Sequence, residues 1–163
     1  MPTNRRTERP PAPRAEVLDL VNRQILGLLQ EDPRLSMAAL ARQVGMSTSA
    51  VTERVDRLRS DGVVVGWRLE VDPAAIGLPV TAYARMRPGP GQLAKVTALV
   101  PDVAEVTECH RITGDDCFLL KLQVASMAHL AEVLDRLSVH GQLTTSIVVS
   151  TPVPLRSVAL PPG

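Results

Sequence analysis

The sequence predicts an α+β chain in two domains: a helix-turn-helix near the N-terminus and, past a hinge, a β-α-β-β-α-β unit of ferredoxin-like order. Three observations predict it. Between Leu35 and Arg59, two short amphipathic segments flank a Gly turn. From Val80 to Thr151, stretches of period-two alternation enclose two stretches of helical period. Between these regions, Asp72-Pro73 through Gly77 breaks both rhythms and reads as the hinge.

Residues 1–15 hold four Pro and four Arg, a composition that cannot bury a core and reads as a disordered tail. The first helix is marked by Leu18, Val21, Ile25, Leu28 and Leu29, with Asp19 as its cap. Asn22, at the third helical position, is placed to return a hydrogen bond in the manner of a capping box. Asp32-Pro33 closes this helix. Ser36 caps the second, whose inner stripe is Leu40, Ala41 and Val44, and Gly45 ends it where only Gly escapes the Cβ penalty of a left-handed turn. Met46 bridges the turn, Ser47 caps again, and Val51, Val55 and Leu58 form the third stripe. With these three facing inward, Ser49, Thr52, Glu53, Asp56 and Arg57 face out.

That outer face suits a nucleic-acid groove. Ser47 and Thr48 stand at a helix N-terminus, whose free N–H groups and positive dipole end favour a phosphate. Small hydroxyl residues allow close approach, and Arg57 and Arg59 can add phosphate contacts. A helical hairpin with no DNA partner is the plainer alternative. The basic tail is either solvated or an arm that touches DNA.

Asp61-Gly62 turns the chain into the β-rich run Val63–Val71, a wing or a linker strand on which Trp67 is an anchor. The first strand of the second domain alternates Val80, Ala82, Ala84 and Met86 against Thr81, Tyr83, Arg85 and Arg87. Pro88-Gly89-Pro90-Gly91 leads to a helix with Leu93, Val96 and Val100 inside. A second strand spans roughly Val103 to Ile112, with His110 toward the helices and Cys109 on the opposite face. Thr113-Gly114-Asp115-Asp116 forms a hairpin turn, and the third strand puts Phe118, Leu120, Leu122 and Val124 on one face. Met127, Leu130, Leu134 and Leu137 mark the second helix, and Leu143–Thr151 the last strand. Helices cover one face of such a sheet. The other, with Tyr83, Cys109, Leu119, Lys121 and Val148, needs solvent or a partner, and a two-fold copy would also pair two reading helices. The domain boundaries are 1–15 tail, 16–62 helix-turn-helix, 63–78 linker strand and hinge, 79–154 ferredoxin-like domain and 155–163 C-terminal tail.

Composition is consistent with this plan. The chain of 163 residues is 45% hydrophobic and 21% charged, so it is globular, and with 2% aromatics its cores must be aliphatic. No run approaches the roughly 18 apolar residues of a membrane span, and no apolar signal region follows the N-terminal arginines, so a cytoplasmic protein is expected. Residues 1–62 carry ten Arg against eight acidic residues, too weak an excess for a global field. DNA affinity must then come from local placement and oligomerisation. Cys109 and Cys117 have neither disulfide-framework nor zinc spacing, and no metal or cofactor is expected.

Two motifs give the chain a family resemblance. One is L-D-x5-I-L-x2-L-Q-x-D-x-R from Leu18, followed by L-A-x2-V-G-x-S-x3-V-x2-R-V-x-R-L from Leu40 and D-G-V-V-x-G from Asp61. The other is V-T-E-C-H-R-I-T-G-D-D-C-F-L-L-K at Val106–Lys121. From about Leu18 to Pro154 the sequence resembles the leucine-responsive/asparagine-type, or feast/famine, transcriptional regulators. The resemblance implies a winged helix-turn-helix joined by a β-strand linker to a βαββαβ effector domain. It also implies homodimers that assemble further, and a small effector, an amino acid first of all, bound between effector domains. By position it makes Ser47, Thr48, Ser49, Thr52, Arg54 and Arg57 DNA-facing, and Thr113, Gly114, Asp115 and Asp116 the effector loop. N–H groups in a Gly turn suit the ligand's carboxylate, and Asp115 its ammonium. The opposite wall would be Thr144, Thr145 and Ser146 of a neighbouring subunit. Where the family usually has an aromatic and then an acidic residue, this chain has Asp116 and Cys117, which leaves the ligand's identity open.

Two other functions fit parts of the pattern. Sirohaem-type decarboxylases resemble the same architecture, with His110, Arg111, Arg85 and Arg87 as candidates, but the complete reading helix and the lack of a nucleophile–base pair speak against an enzyme. A ligand-independent DNA-organising protein would differ by its indifference to small molecules.

Overall fold

The computed structural model describes residues 15–161; the N-terminal tail expected at 1–15 lies almost wholly outside them. The chain forms two compact units, residues 70–154 and the segments flanking them.

In the first unit a short 3-10 turn, Ala15–Leu18, leads into α1 (Leu20–Glu31), α2 (Met37–Val44) and α3 (Thr48–Ser60). Each start is capped as its sequence demands. The side chains of Asp19, Ser36 and Ser47 accept from the backbone N–H groups of Asn22, Ala39 and Ala50. Gly45 adopts φ 70°, and Met46 N–H closes the turn on the Ala41 carbonyl at 3.0 Å. The core is Ile25, Leu29, Leu40, Val51, Val55 and Leu58, all buried. Asn22 departs from the capping-box expectation: its side-chain amide donates to the Val17 carbonyl at 2.8 Å, not to the cap.

The run from Val63 to Val71 does not pair as a strand within the chain. Val63 and Val64 both donate to the Leu58 carbonyl and pack on the helix core. Beyond them Val65, Trp67, Leu69 and Val71 are exposed, Leu69 by 85%. The alternation is genuine β pattern, but a ladder needs a second strand, and no described residue pairs with this run as one. Trp67, the expected anchor of this run, is 49% exposed. After a 3-10 turn at Ala74–Ile76 the second unit begins. At the other end, residues 155–161 return to the first unit: Leu160 packs on its core, Gln30 Nε2 donates to the Val158 carbonyl at 3.2 Å, and Arg23 donates to the Pro161 carbonyl.

The second unit runs β1 (Val80–Pro88), α4 (Leu93–Leu99), β2 (Val106–Arg111), β3 (Phe118–Val124), α5 (Met127–Ser138) and β4 (Gly141–Ile147). The antiparallel sheet has the order β2-β3-β1-β4, the ferredoxin-like arrangement. Ala82, Ala84 and Met86 of β1 and Phe118, Leu120, Leu122 and Val124 of β3 meet Val96, Leu130, Val133 and Leu137 of the helices in one core. Glu105, ahead of β2, ties to α5 through Arg136 at 2.7 Å and the His129 ring at 3.1 Å. A bond from its own backbone N–H, then those from His129 and Arg136, hold its carboxyl below the usual carboxylate range.

Two helix faces and two strand boundaries differ from expectation. Met127 and Leu93 are exposed rather than inside, and Val133 takes the core place. β4 begins at Gly141 and stops at Ile147, because its partner β1 begins at Val80; Val148 makes the last bond, to Thr81. β2 starts three residues late and carries a bulge at Thr107, where Val106 opposes Leu122 but Glu108 opposes Lys121. One inserted residue inverts every later side chain. His110 consequently lies opposite Leu119 on the helix-free face, and Cys109 opposite Leu120 on the helix side, the reverse of the assignment from alternation.

Candidate DNA-reading helix and effector loop

On α3 the inward stripe fixes what faces out. Val51, Val55 and Leu58 are buried, while Ser47, Thr48, Ser49 and Arg57 are exposed and Thr52 is half-buried. Ser47 Oγ lies 3.1 Å from Ser49 Oγ, so the hydroxyls at the helix tip already form a small polar cluster. Thr52 Oγ1 donates to the Thr48 carbonyl at 2.8 Å. Among the described residues Arg57 reaches only Glu53, one turn back at 3.5 Å, and Arg59 only Asp56 at 4.0 Å. Pairs this exposed contribute little and are easily exchanged for a phosphate.

Arg54 is engaged differently from its expected DNA-facing place. Its Nη1 lies 2.6 Å from Asp19 Oδ2 and donates to Asn22 Oδ1 at 3.0 Å, both on the start of α1. The Asn22 backbone N–H, then the Arg54 guanidinium, hold the Asp19 carboxyl below its ordinary value.

In the second unit Ile112 N–H donates to the Cys117 carbonyl, and Cys117 N–H to the Met86 carbonyl, closing the β2–β3 turn against β1. Gly114 sits at φ 105°, a conformation L side chains avoid. Asp115 Oδ2 lies 3.2 Å from Arg87 Nη2, and Asp116 lies 3.9 Å from Arg87 and 3.8 Å from Arg85. The two arginines are therefore the loop's own counter-charges. Alternation along β1 placed them on the outer face, but only the closed turn shows that they meet the acidic pair. Thr144 opposes Arg85 and Ser146 opposes Tyr83, so both share this helix-free face. Thr145 opposes Ala84 and points to the helix side, so the structure separates it from the other two. His110 and Glu108, 2.6 Å apart, complete the polar surface.

A capped helix-turn-helix with an exposed third helix, followed by a βαββαβ unit with an acidic Gly turn, defines a DNA-binding regulator carrying a ligand domain. The chain matches the model of winged helix-turn-helix DNA-binding domains over residues 18–65 and that of the Lrp/AsnC ligand binding domain over residues 81–158. It is 30% identical over 133 residues to the HTH-type transcriptional regulator LrpC of Bacillus subtilis, covering 82% of this chain and 92% of that one. With the regulator LrpA of Mycobacterium tuberculosis it shares 32% identity over 139 residues, covering 83% and 93%. Its fold also matches the solved feast or famine regulatory protein from M. tuberculosis complexed with L-methionine. That match has a TM-score of 0.80 at 30% identity and covers 86% and 98% of the two chains. The chain belongs to the Lrp/AsnC family of transcriptional regulators. Its relatives are regulators, not enzymes, and this decides against the decarboxylase alternative. No helix among the described residues is long and apolar enough to cross a membrane.

Proposed function

We propose that the chain is a cytoplasmic regulator that reads duplex DNA with Ser47, Thr48, Ser49, Thr52 and Arg57 of α3, and that an amino acid at the Asp115-Asp116 turn modulates it. The observation that carries the first half is the exposed hydroxyl-capped tip of α3, with Arg57 free of any long-range partner among the described residues. The second half rests on the Arg–Asp pairs. An amino acid's ammonium can replace Arg87 at Asp115, and the released guanidinium can take the ligand's carboxylate; each charge exchanges one partner for another. Methionine is the first ligand to try, given the related complex.

The sheet face bearing Tyr83, Leu119 and Val148 would be covered by a second copy, bringing two reading helices to one site. Thr144 and Ser146 of a neighbouring subunit would then face the acidic turn, and a ligand held there would bias one arrangement of dimers over another.

Two substitutions test this on a duplex selected from random sequence. Arg57→Ala will weaken binding by about tenfold and lower the slope of log affinity against log salt by about one per lost phosphate contact. It will leave any methionine-induced rise in unfolding temperature unchanged. Asp115→Ala will bind DNA as the parent does and lose that rise, which a hundredfold excess of ligand over its Kd makes worth about 2.7 kcal/mol. No rise with any amino acid in the parent protein would instead favour the ligand-independent DNA organiser.

A further inference from the structure

We propose that Arg54 is a positioning residue, not a DNA contact: through Asp19 and Asn22 it fixes the angle at which α3 meets DNA. This rests on α3 being the reading helix. The apolar stripe Val51, Val55 and Leu58 seats α3 on its domain, but apolar contact is non-directional and leaves roll and slide poorly determined. The polar contact is directional. Arg54 Nη1 bridges Asp19 Oδ2 at 2.6 Å and Asn22 Oδ1 at 3.0 Å, joining residues 32 and 35 positions apart.

Behind this bridge every group has a partner. The Asn22 backbone N–H donates to Asp19 Oδ1 at 2.7 Å, and the Asn22 amide donates to the Val17 carbonyl at 2.8 Å. Asn22 is one of only two buried polar side chains among the described residues, and a buried amide without its partner is costly. The other arginines of α3 lack such an anchor: Arg57 and Arg59 pair within their own helix, at 3.5 and 4.0 Å, on its exposed side. Three residues apart, Arg54 and Arg57 thus have separate tasks, one turned back to α1 and the other outward.

Asp19→Asn separates the possibilities because it removes the charge and keeps the cap, Asn being as good an N-cap as Asp. Affinity is measured for the selected duplex and for a scrambled one across a salt series, beside thermal unfolding, in Asp19→Asn, Arg54→Lys, Arg54→Gln and Arg57→Ala. For Asp19→Asn we expect about tenfold weaker binding to the selected duplex, the scale of one lost base contact. Binding to the scrambled duplex should be unchanged or tighter, because the protein has gained positive charge. Arg54→Gln should show the same loss on the selected duplex with its salt slope intact, though without any gain on the scrambled one because it removes a positive charge, and Arg54→Lys should recover part of the loss.

Tighter binding of Asp19→Asn to the selected duplex would mean that a freed Arg54 reaches phosphate, and would overturn the proposal. So would a salt slope lowered by about one in Arg54→Gln. Equal losses on both duplexes, tracking a fall in unfolding temperature, would reduce Arg54 to a stability role and overturn it too. If Arg57→Ala changes neither affinity nor slope, α3 is not the reader, and the proposal falls with that reading. If Arg57→Ala lowers the slope while Asp19→Asn binds as the parent does, the positioning role alone falls.

Discussion

Phe118→Ala will destabilise the sheet unit by about 3–5 kcal/mol, the cost of deleting a fully buried ring where the site cannot collapse. Phe118 is 2% exposed and opens β3, opposite Met86 of β1 and Arg111 of β2. It is the chain's only phenylalanine, and its neighbours are aliphatic, so no other ring is at hand to fill the space. The Arg111 guanidinium lies 5.2 Å from the ring centroid, so the edge strand loses a cation–π contact as well. The consequence reaches the acidic turn, because Cys117, the residue before, holds that turn to β1 through the Met86 carbonyl. Urea unfolding should show the loss, and the amino-acid response should weaken with it. Phe118→Leu, which keeps most of the volume, should recover much of both. The helix unit has a separate core, so a selective loss on the sheet side is expected. A change under about 1 kcal/mol would mean the sheet closes over the missing ring, against the packing described.

What was legible in the sequence was local. Asp19, Ser36 and Ser47 as caps and Gly45 as the turn follow from backbone groups within four residues, and the structure places each as expected. The alternation of β1 and β3 was equally plain, because Ala82, Ala84 and Met86 of one and Phe118, Leu120, Leu122 and Val124 of the other are buried at every second position. The failures were non-local. Nothing near Thr107 marks a bulge, since an extra residue exists only relative to a partner strand, yet it exchanged the faces of Cys109 and His110. The run Val63–Val71 has β composition, yet no described residue pairs with it as a strand. Arg54 and Arg57 are the same residue type on one helix, and it is the position of Asp19 and Asn22, 35 and 32 residues from Arg54, that distinguishes their surroundings. The acidic turn was recognised, but not the arginines that neutralise it, because Arg85 and Arg87 reach it across about 30 residues of chain. Site chemistry, more than fold, is built from such long-range meetings.

Gly141→Ala tests one of these meetings directly. A Cβ at this position would lie 2.2 Å from the Arg87 carbonyl oxygen, 2.7 Å from Pro88 Cα and 2.9 Å from the Arg87 carbonyl carbon. All three are backbone atoms, so no rotamer change relieves the clash, and the two strands must part. Gly141 opposes Pro88 at the last rung of the β1–β4 ladder, and Gly89 N–H donates to the His140 carbonyl just beyond it. Parting them there breaks the final rungs and moves Arg87, which pairs with both Asp115 and Asp116. We expect a loss of about 3 kcal/mol, the upper end of ordinary overpacking, together with a weaker amino-acid response. Gly89→Ala is the matched control. Its added Cβ would meet Gln92 Cγ at 3.6 Å and the His140 carbonyl at 3.7 Å, ordinary van der Waals distances, so its cost should stay below about 1 kcal/mol. If both variants unfold at the parent's urea concentration, β4 can lift from β1 without penalty and the Arg87 link from strand to loop is slack. If only Gly141→Ala is destabilised and its amino-acid response falls as well, the close approach of these two strands is what holds Arg87 against the acidic turn.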